Sequence, residues 1–230
     1  MIRNSIMRQS LLNARRKELI KAATEVFNRN GIKGFKVKDV TDLMDIGRGT
    51  LYEYIRTKND IIFIVMEDTI LKSIRYLRNH TEDIKDPLLK LKQAIHAHLQ
   101  TTSSNSKILW AMYQESTPFN KSQFKKMCRL LDEYNGIFRE ILEEGQKKGM
   151  FKVNDPYVLA HSITTMLNTW LIKKSFLKYE FSIPDYERKI GWIILQGCLN
   201  LSKEQLEDNL DKLHNVLCEN AAECPVLRTG

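Results

Sequence analysis

From Asn13 to Asn28 the apolar residues Leu19, Ile20, Ala23, Val26 and Phe27 return at steps of three and four. That spacing predicts a helix with one buried face, and Gly31 supplies its stop. A short second helix follows over Val37–Met44, with Asp39 near its positive end, and a third over Arg48–Arg56. Thr57 is placed to cap a longer fourth helix, Lys58 to Asn79, whose stripe runs through Ile61, Ile62, Val65, Met66, Ile70, Ile74 and Leu77. Farther on, Asp86-Pro87, Asp155-Pro156 and Ile183-Pro184 mark helix starts, since proline in the first turn sacrifices no hydrogen bond. Helices are expected at about 87–101, 106–115, 120–147, 156–178 and 185–201, with breaks at Ser116-Thr117-Pro118 and Gly149 and a last helix over 203–217. The segment 219–230 has no regular apolar period and is expected to be a disordered tail.

The two short helices divide their residues by side. Val37, Val40, Leu43, Ile46, Leu51 and Ile55 are expected to face one small core, while Lys36, Lys38, Arg48, Thr50, Tyr52, Tyr54 and Lys58 face outwards. This is the pattern of a helix-turn-helix, in which a first helix and a packed core hold a second helix out towards a major groove ~12 Å wide. The expected organisation is all-α: a three-helix head over 1–58, a larger helical-bundle body over 59–218 for ligand binding and dimerisation, and the tail.

Composition agrees with that class. Ten glycines and five prolines in 230 residues are too few for the many turns of a barrel or sandwich. The formal charge of +8 is concentrated in the head, where residues 1–58 hold 13 lysines and arginines against 6 aspartates and glutamates. A basic module on a nearly neutral body suits a polyanionic partner bound by phosphate contacts and counterion release, although basic N-termini also occur on proteins with no such partner. Cys128, Cys198, Cys218 and Cys224 show no metal-ligand spacing and are expected as free thiols, with no metal and no cofactor. No apolar run reaches the ~18 residues of a membrane span, so a cytoplasmic location is expected.

The stretch Ile46-Gly47-Arg48-Gly49-Thr50-Leu51-Tyr52-Glu53-Tyr54-Ile55-Arg56-Thr57-Lys58, preceded by Ala22-Ala23-Thr24-Glu25-Val26-Phe27-Asn28-Arg29-Asn30-Gly31, resembles the TetR family of transcriptional regulators over residues 16–62. In the body, Ile137 to Gly149 is similar to the helix end that precedes the last two helices of many members. The resemblance implies an all-helical homodimer, joined through the last two long helices, with a DNA-binding head and a ligand-binding body.

Roles follow by residue. Arg48 and Thr50, at the start of the third helix, are expected to read base edges, where an arginine paired with guanine supplies ~1–3 kcal/mol of discrimination. The resemblance implies that Tyr52, Tyr54 and Lys58 meet phosphates, which fix docking without reading sequence. Lys36 and Lys38 either clamp the DNA backbone or are solvated charges, and Gly49 permits close approach. Arg3, Arg8, Arg15 and Arg16 form either a minor-groove arm before the first helix or a disordered basic tail. Two positions depart from the family pattern. Asp45 stands where glycine usually makes the turn, and Gly47 where serine or threonine usually caps the reading helix, which removes one hydroxyl from the DNA side.

The body is rich in aromatics and methionines between 108 and 176, as a pocket for an apolar effector requires and as an ordinary core also shows. Trp110, Tyr113, Gln114, Met127, Thr165, Met166, Asn168 and Trp170 are its candidate lining. His96 and His98, two apart on a helix, diverge and make a poor metal pair. No nucleophile–base or phosphate-loop signature is present, so no enzyme activity is expected. The expected function is sequence-specific binding of double-stranded operator DNA by a repressor that a small apolar effector releases, with no membrane partner. The alternative is a helical ligand-binding protein or enzyme whose basic head binds DNA nonspecifically.

Overall fold

A computed structural model describes the backbone of residues 2–52, 55–114 and 119–198, with side chains from residue 15 onward except those of Gln114, Gly197 and Cys198. Among the described residues there are helices and connecting turns and no strands: α1 (Ile2–Gly34), α2 (Val37–Met44), α3 (Arg48–Tyr52), α4 (Lys58–Asn79), α5 (Pro87–Ser104), α6 (Ser106–Gln114), α7 (Lys121–Lys147), α8 (Pro156–Ile172), α9 (Lys174–Glu180) and α10 (Ile183–Ile193), which runs into a π-helical turn, Ile194–Cys198. They form two compact units. The first takes residues 1–76 and 101–134, the second 77–100 and 135 onward.

In the first unit α1 packs on α2 and α6, and α2 on α3. Phe27 and Phe35, both almost completely buried, meet with ring centroids 5.9 Å apart, and Ala23, Val40, Leu51, Ile55 and Ile61 are buried in the same unit. Each such phenylalanine contributes roughly 2–3 kcal/mol by leaving water. Lys107 of α6 donates to the carbonyl of Asn28, near the end of α1.

The second unit buries Leu91 and Ile95 of α5, Phe138, Ile141 and Leu142 of α7, and Ile163, Leu167 and Trp170 of α8. The turn after α7 explains two glycines. Gly149 adopts φ +70°, and a Cβ on Gly145 would lie 2.0 Å from the ring of Phe151, which closes over that glycine. The carbonyl of Gly145 accepts from the N–H groups of Met150 and Phe151, so the chain reverses tightly over the last turn of α7.

Several boundaries agree with the sequence reading, α2 and α4 residue for residue. Asp86 Oδ1 accepts from Leu89 N–H at 2.8 Å and Asp155 Oδ1 from Val158 N–H at 3.0 Å, so both Asp-Pro pairs cap helices. Other expectations need correction. The first helix begins at Ile2, not near Asn13, and carries Arg3, Arg8, Arg15 and Arg16, so these residues lie in a helix and not on an arm before it. At its other end Gly31, φ 64°, kinks the chain before one further turn to Gly34. The helix expected over 156–178 breaks at Lys173, and α9 begins after it. Leu43 is 43% exposed, because the inner side of α2 is centred on Val40 and Thr41 and the residue three past Val40 turns away. The helix expected at 203–217 and the tail at 219–230 lie outside the described residues.

Candidate nucleic-acid interface

The turn between α2 and α3 is built by backbone geometry. Asp45 adopts the left-handed conformation, φ 50° and ψ 46°, and the N–H groups of Asp45 and Ile46 return to the carbonyls of Asp42 and Thr41. This double closure is the Schellman form of helix ending, usually made with glycine. Aspartate fills the position as the sequence suggested, because its short polar side chain tolerates left-handed backbone. Gly47 stands at the start of α3, where its carbonyl accepts from Leu51 N–H at 3.3 Å and it offers no side-chain cap.

Leu51 anchors α3 at 1% exposure, and Ile55 behind it is also buried. On the other side Arg48, Gly49, Thr50 and Tyr52 are all exposed, Tyr52 by 47%. A cavity of about 200 Å³ lies beneath, lined among others by Leu19, Ile46, Leu51 and Ile64. In its described part α3 is short, and Leu51 is its buried residue. Its described part ends at Tyr52, while Ile55 to Thr57 form a non-helical link to α4, so the helix expected to Arg56 is shorter in its described form. Glu53 and Tyr54 lie outside the described residues.

Lys36 and Lys38 are exposed at the start of α2. Asp39, in the first turn of α2, accepts from Asn30 Nδ2 at 3.0 Å, which ties that turn to α1. Lys58, partly buried, holds its ammonium 5.8 Å from the centre of the Phe35 ring, a cation–π distance that fixes its stem beside the start of α2. Thr57 and Asp60 then cap α4 reciprocally. Thr57 Oγ1 accepts from Asp60 N–H at 3.2 Å, and Asp60 Oδ2 accepts from Thr57 N–H at 2.8 Å. Burial raises the Asp60 carboxyl, but the hydrogen bonds from Thr57, Gln123 and Arg56 outweigh it and leave the pKa below the ordinary carboxylate value. The outward side of this segment thus carries lysines, an arginine and hydroxyls on a packed base. That arrangement can lay cations and hydroxyls on phosphates and an arginine on base edges.

The proposed effector lining is spread over both units. Trp110 and Tyr113 of α6 and Met127 of α7 belong to the first, with Met127 buried and Tyr113 52% exposed. Thr165, Met166, Asn168 and Trp170 of α8 belong to the second. The side chain of Gln114 is outside the described residues. Asn168 Oδ1 accepts from His98 Nε2 at 3.1 Å, Thr165 donates to the carbonyl of His161 at 2.7 Å, and Trp170 stacks against Tyr186 at 5.2 Å. His96 and His98 have different partners, Glu187 and Asn168, as their divergence on the helix requires.

Sequence reasoning missed Glu67. Its side chain is 4% exposed and pairs with Arg16 of α1 at 2.9 Å and with Lys126 of α7. The signal was an acid directly after Met66, the first of the pair Glu67-Asp68 that interrupts the apolar stripe of α4 before Ile70.

Residues 19–63 match the family model described as bacterial regulatory proteins, tetR family, and residues 85–172 match one described as tetracyclin repressor-like, C-terminal domain. The two models together cover more than half of the chain. A fatty acid metabolism regulator protein from Bacillus subtilis is 25% identical, over 67% of this chain and 82% of that protein. The transcriptional repressor NicS of Pseudomonas putida is 22% identical, over 77% and 86%. Among solved structures, a TetR/AcrR-type regulator from Thermobifida fusca superposes with a TM-score of 0.68 at 19% identity, covering 80% of this chain and 98% of that one. The regulator FadR of Bacillus subtilis, solved in complex with stearoyl-CoA, gives 0.64 at 20% identity, covering 79% and 98%. At these identities the structural likeness establishes the fold.

Proposed function

This chain belongs to the TetR family of bacterial regulatory proteins and is a DNA-binding transcriptional regulator, and from that premise we propose that it is a homodimeric repressor released from its operator by an effector with a long apolar chain. The observation that carries the reading is the two-sided third helix, with Leu51 locked inward while Arg48, Thr50 and Tyr52 stand exposed around it. On this reading Arg48 and Thr50 read bases, and Lys36, Lys38, Tyr52, Tyr54 and Lys58 hold phosphates, with Gly49 leaving room for the groove wall. A Cβ on Gly49 would meet nothing within 4 Å, so the fold of the chain itself does not require glycine there.

Two copies joined through the last two long helices present two such heads, and two-fold symmetry then demands a palindromic operator. The effector class is supported by the fatty acid regulator among the relatives and by the stearoyl-CoA held by FadR. Trp110, Tyr113, Gln114, Met127, Thr165, Met166, Asn168 and Trp170 are the proposed lining. Release requires that the effector bind the DNA-incompetent state more tightly, by ~1–3 kcal/mol in typical couplings.

The test is a gel shift on duplexes that the protein itself selects from a random pool. Stearoyl-CoA is expected to lower operator affinity, whereas free coenzyme A leaves it unchanged. Arg48→Ala is expected to relax selection at one base step in each half-site. A thioester that binds the protein and leaves operator affinity untouched eliminates the release mechanism, and an unaltered preference in Arg48→Ala removes Arg48 from the reader.

A further inference from the structure

Polar side chains at the start of α7 grip the helices that carry the reader. Gln123 closes the cap of its own helix, its N–H donating to Asn120 Oδ1 at 3.0 Å while its Oε1 accepts from Asn120 N–H at 3.1 Å. The same side chain donates through Nε2 to Asp60 Oδ1 at 2.7 Å. The other oxygen of Asp60 accepts from the backbone N–H groups of Arg56 and Thr57 and from the Thr57 hydroxyl, at 3.2, 2.8 and 3.0 Å. One carboxylate therefore holds both the link leaving α3 and the first residue of the α7 grip.

A second grip lies farther along both helices. Glu67 of α4, almost wholly buried, pairs with Lys126 of α7 on one side and Arg16 of α1 on the other. Gln123 and Lys126 are three apart and share a face of α7, while Asp60 and Glu67 are seven apart and share a face of α4. A single bond would leave α7 free to pivot on α4. Two bonds in register fix both its rotation and its slide, and the Arg16 branch extends the same constraint to α1.

We propose that Gln123 and Lys126 are positioning residues for the DNA reader: through Asp60 and Glu67 they set the pose of α4 and α1, so the start of α7 is a lever on operator affinity. α7 itself is one helix whose first half, to Tyr134, belongs to the reader's unit and whose second half belongs to the other unit. The proposal rests on the assignment of Lys36 to Lys58 as the reader. A reader held in its docking pose loses little freedom on binding, and one released from its grip must be ordered at the cost of affinity.

The experiment compares full-length variants on a duplex that the wild-type chain selects from a random pool. Gln123→Glu keeps an acceptor for Asn120 N–H, and hence the cap, but turns a carboxylate towards Asp60 where a donor stood. It is expected to weaken operator binding about tenfold at a temperature where thermal unfolding shows the variant still fully folded. Asn120→Ala removes the side-chain half of the cap and leaves the bond to Asp60, and its affinity is expected to stay within about twofold of wild type. Lys126→Met is expected to lower affinity without altering the slope of affinity against salt, the mark of a residue that touches no phosphate. The proposal is overturned if Gln123→Glu binds like wild type, if Asn120→Ala loses as much as Gln123→Glu, or if Lys126→Met flattens the salt slope. A wild-type chain that selects no duplex overturns the reader assignment beneath it, which is a separate failure.

Discussion

His96 and His98 sit two residues apart on α5, and their surroundings move their pKa values in opposite directions. Burial pushes His98 down to about 4, against the opposing hydrogen bond to Asn168, so the native ring is neutral. The hydrogen bond to Glu187 raises His96, against the penalty of its burial and with the help of the carboxylate charge. The contribution of His98 is fully present above the ordinary value of 6.5 and is lost as pH falls towards 4, because the unfolded chain accepts a proton that the native site refuses. The contribution of His96 is present below 6.5 and is lost as pH rises through its raised value. Urea unfolding between pH 7 and 4.5 is therefore expected to show an acid loss of stability, of order 3 kcal/mol at its limit, that shrinks in His98→Gln. An identical acid loss in that variant rules His98 out as the cause. Little of this was legible in the sequence. Helical spacing showed that the two rings diverge, but which one met a carboxylate and which an amide depended on α8 and α10, far along the chain. Leu43 teaches the same lesson, since three-residue spacing from Val40 made it a core candidate, whereas in the fold Val40 and Thr41 are the buried residues of α2 and Leu43 is exposed.

Helix ends were more legible, because a cap is made by residues three apart. Asp86 and Asp155 before proline, Thr57 before α4 and Asp45 after α2 all act locally, and the structure has each of them at a helix terminus. Gly47 is the gap in this set. A Cβ there would meet only Thr50 Oγ1, at 4.0 Å, so a side chain fits. Gly47→Ser is expected to raise stability by a few tenths of a kcal/mol, and its added hydroxyl to tighten operator binding. Thermal unfolding and gel shift measure the two effects separately, and unchanged affinity would show that this position does not face the DNA backbone. The elements misjudged from sequence are those whose extent depends on distant support. Nothing within residues 2–12 announced three further helical turns, and no proline or glycine marks the break at Lys173.

For the molecule as a whole, the uneven charge makes a direct prediction. With 13 cationic residues in the first 58, operator affinity is expected to fall steeply with salt. Lys36→Ala is expected to reduce the magnitude of the log–log slope by about 1 and to weaken all duplexes alike, unlike the loss of sequence preference expected for Arg48→Ala. A slope unchanged by Lys36→Ala would class that lysine as a solvated charge. The amino-acid sequence alone determined the helical class, the turn between α2 and α3, and the two-sided pattern of α3, because periodicity, caps and turn residues act over three or four positions. Tertiary structure alone decided which charges are buried and paired. Glu67, Arg16 and Lys126 come from three separate helices, as do His96 and Glu187 from two, and a carboxylate becomes an anchor only when folding removes its water and supplies cations in its place.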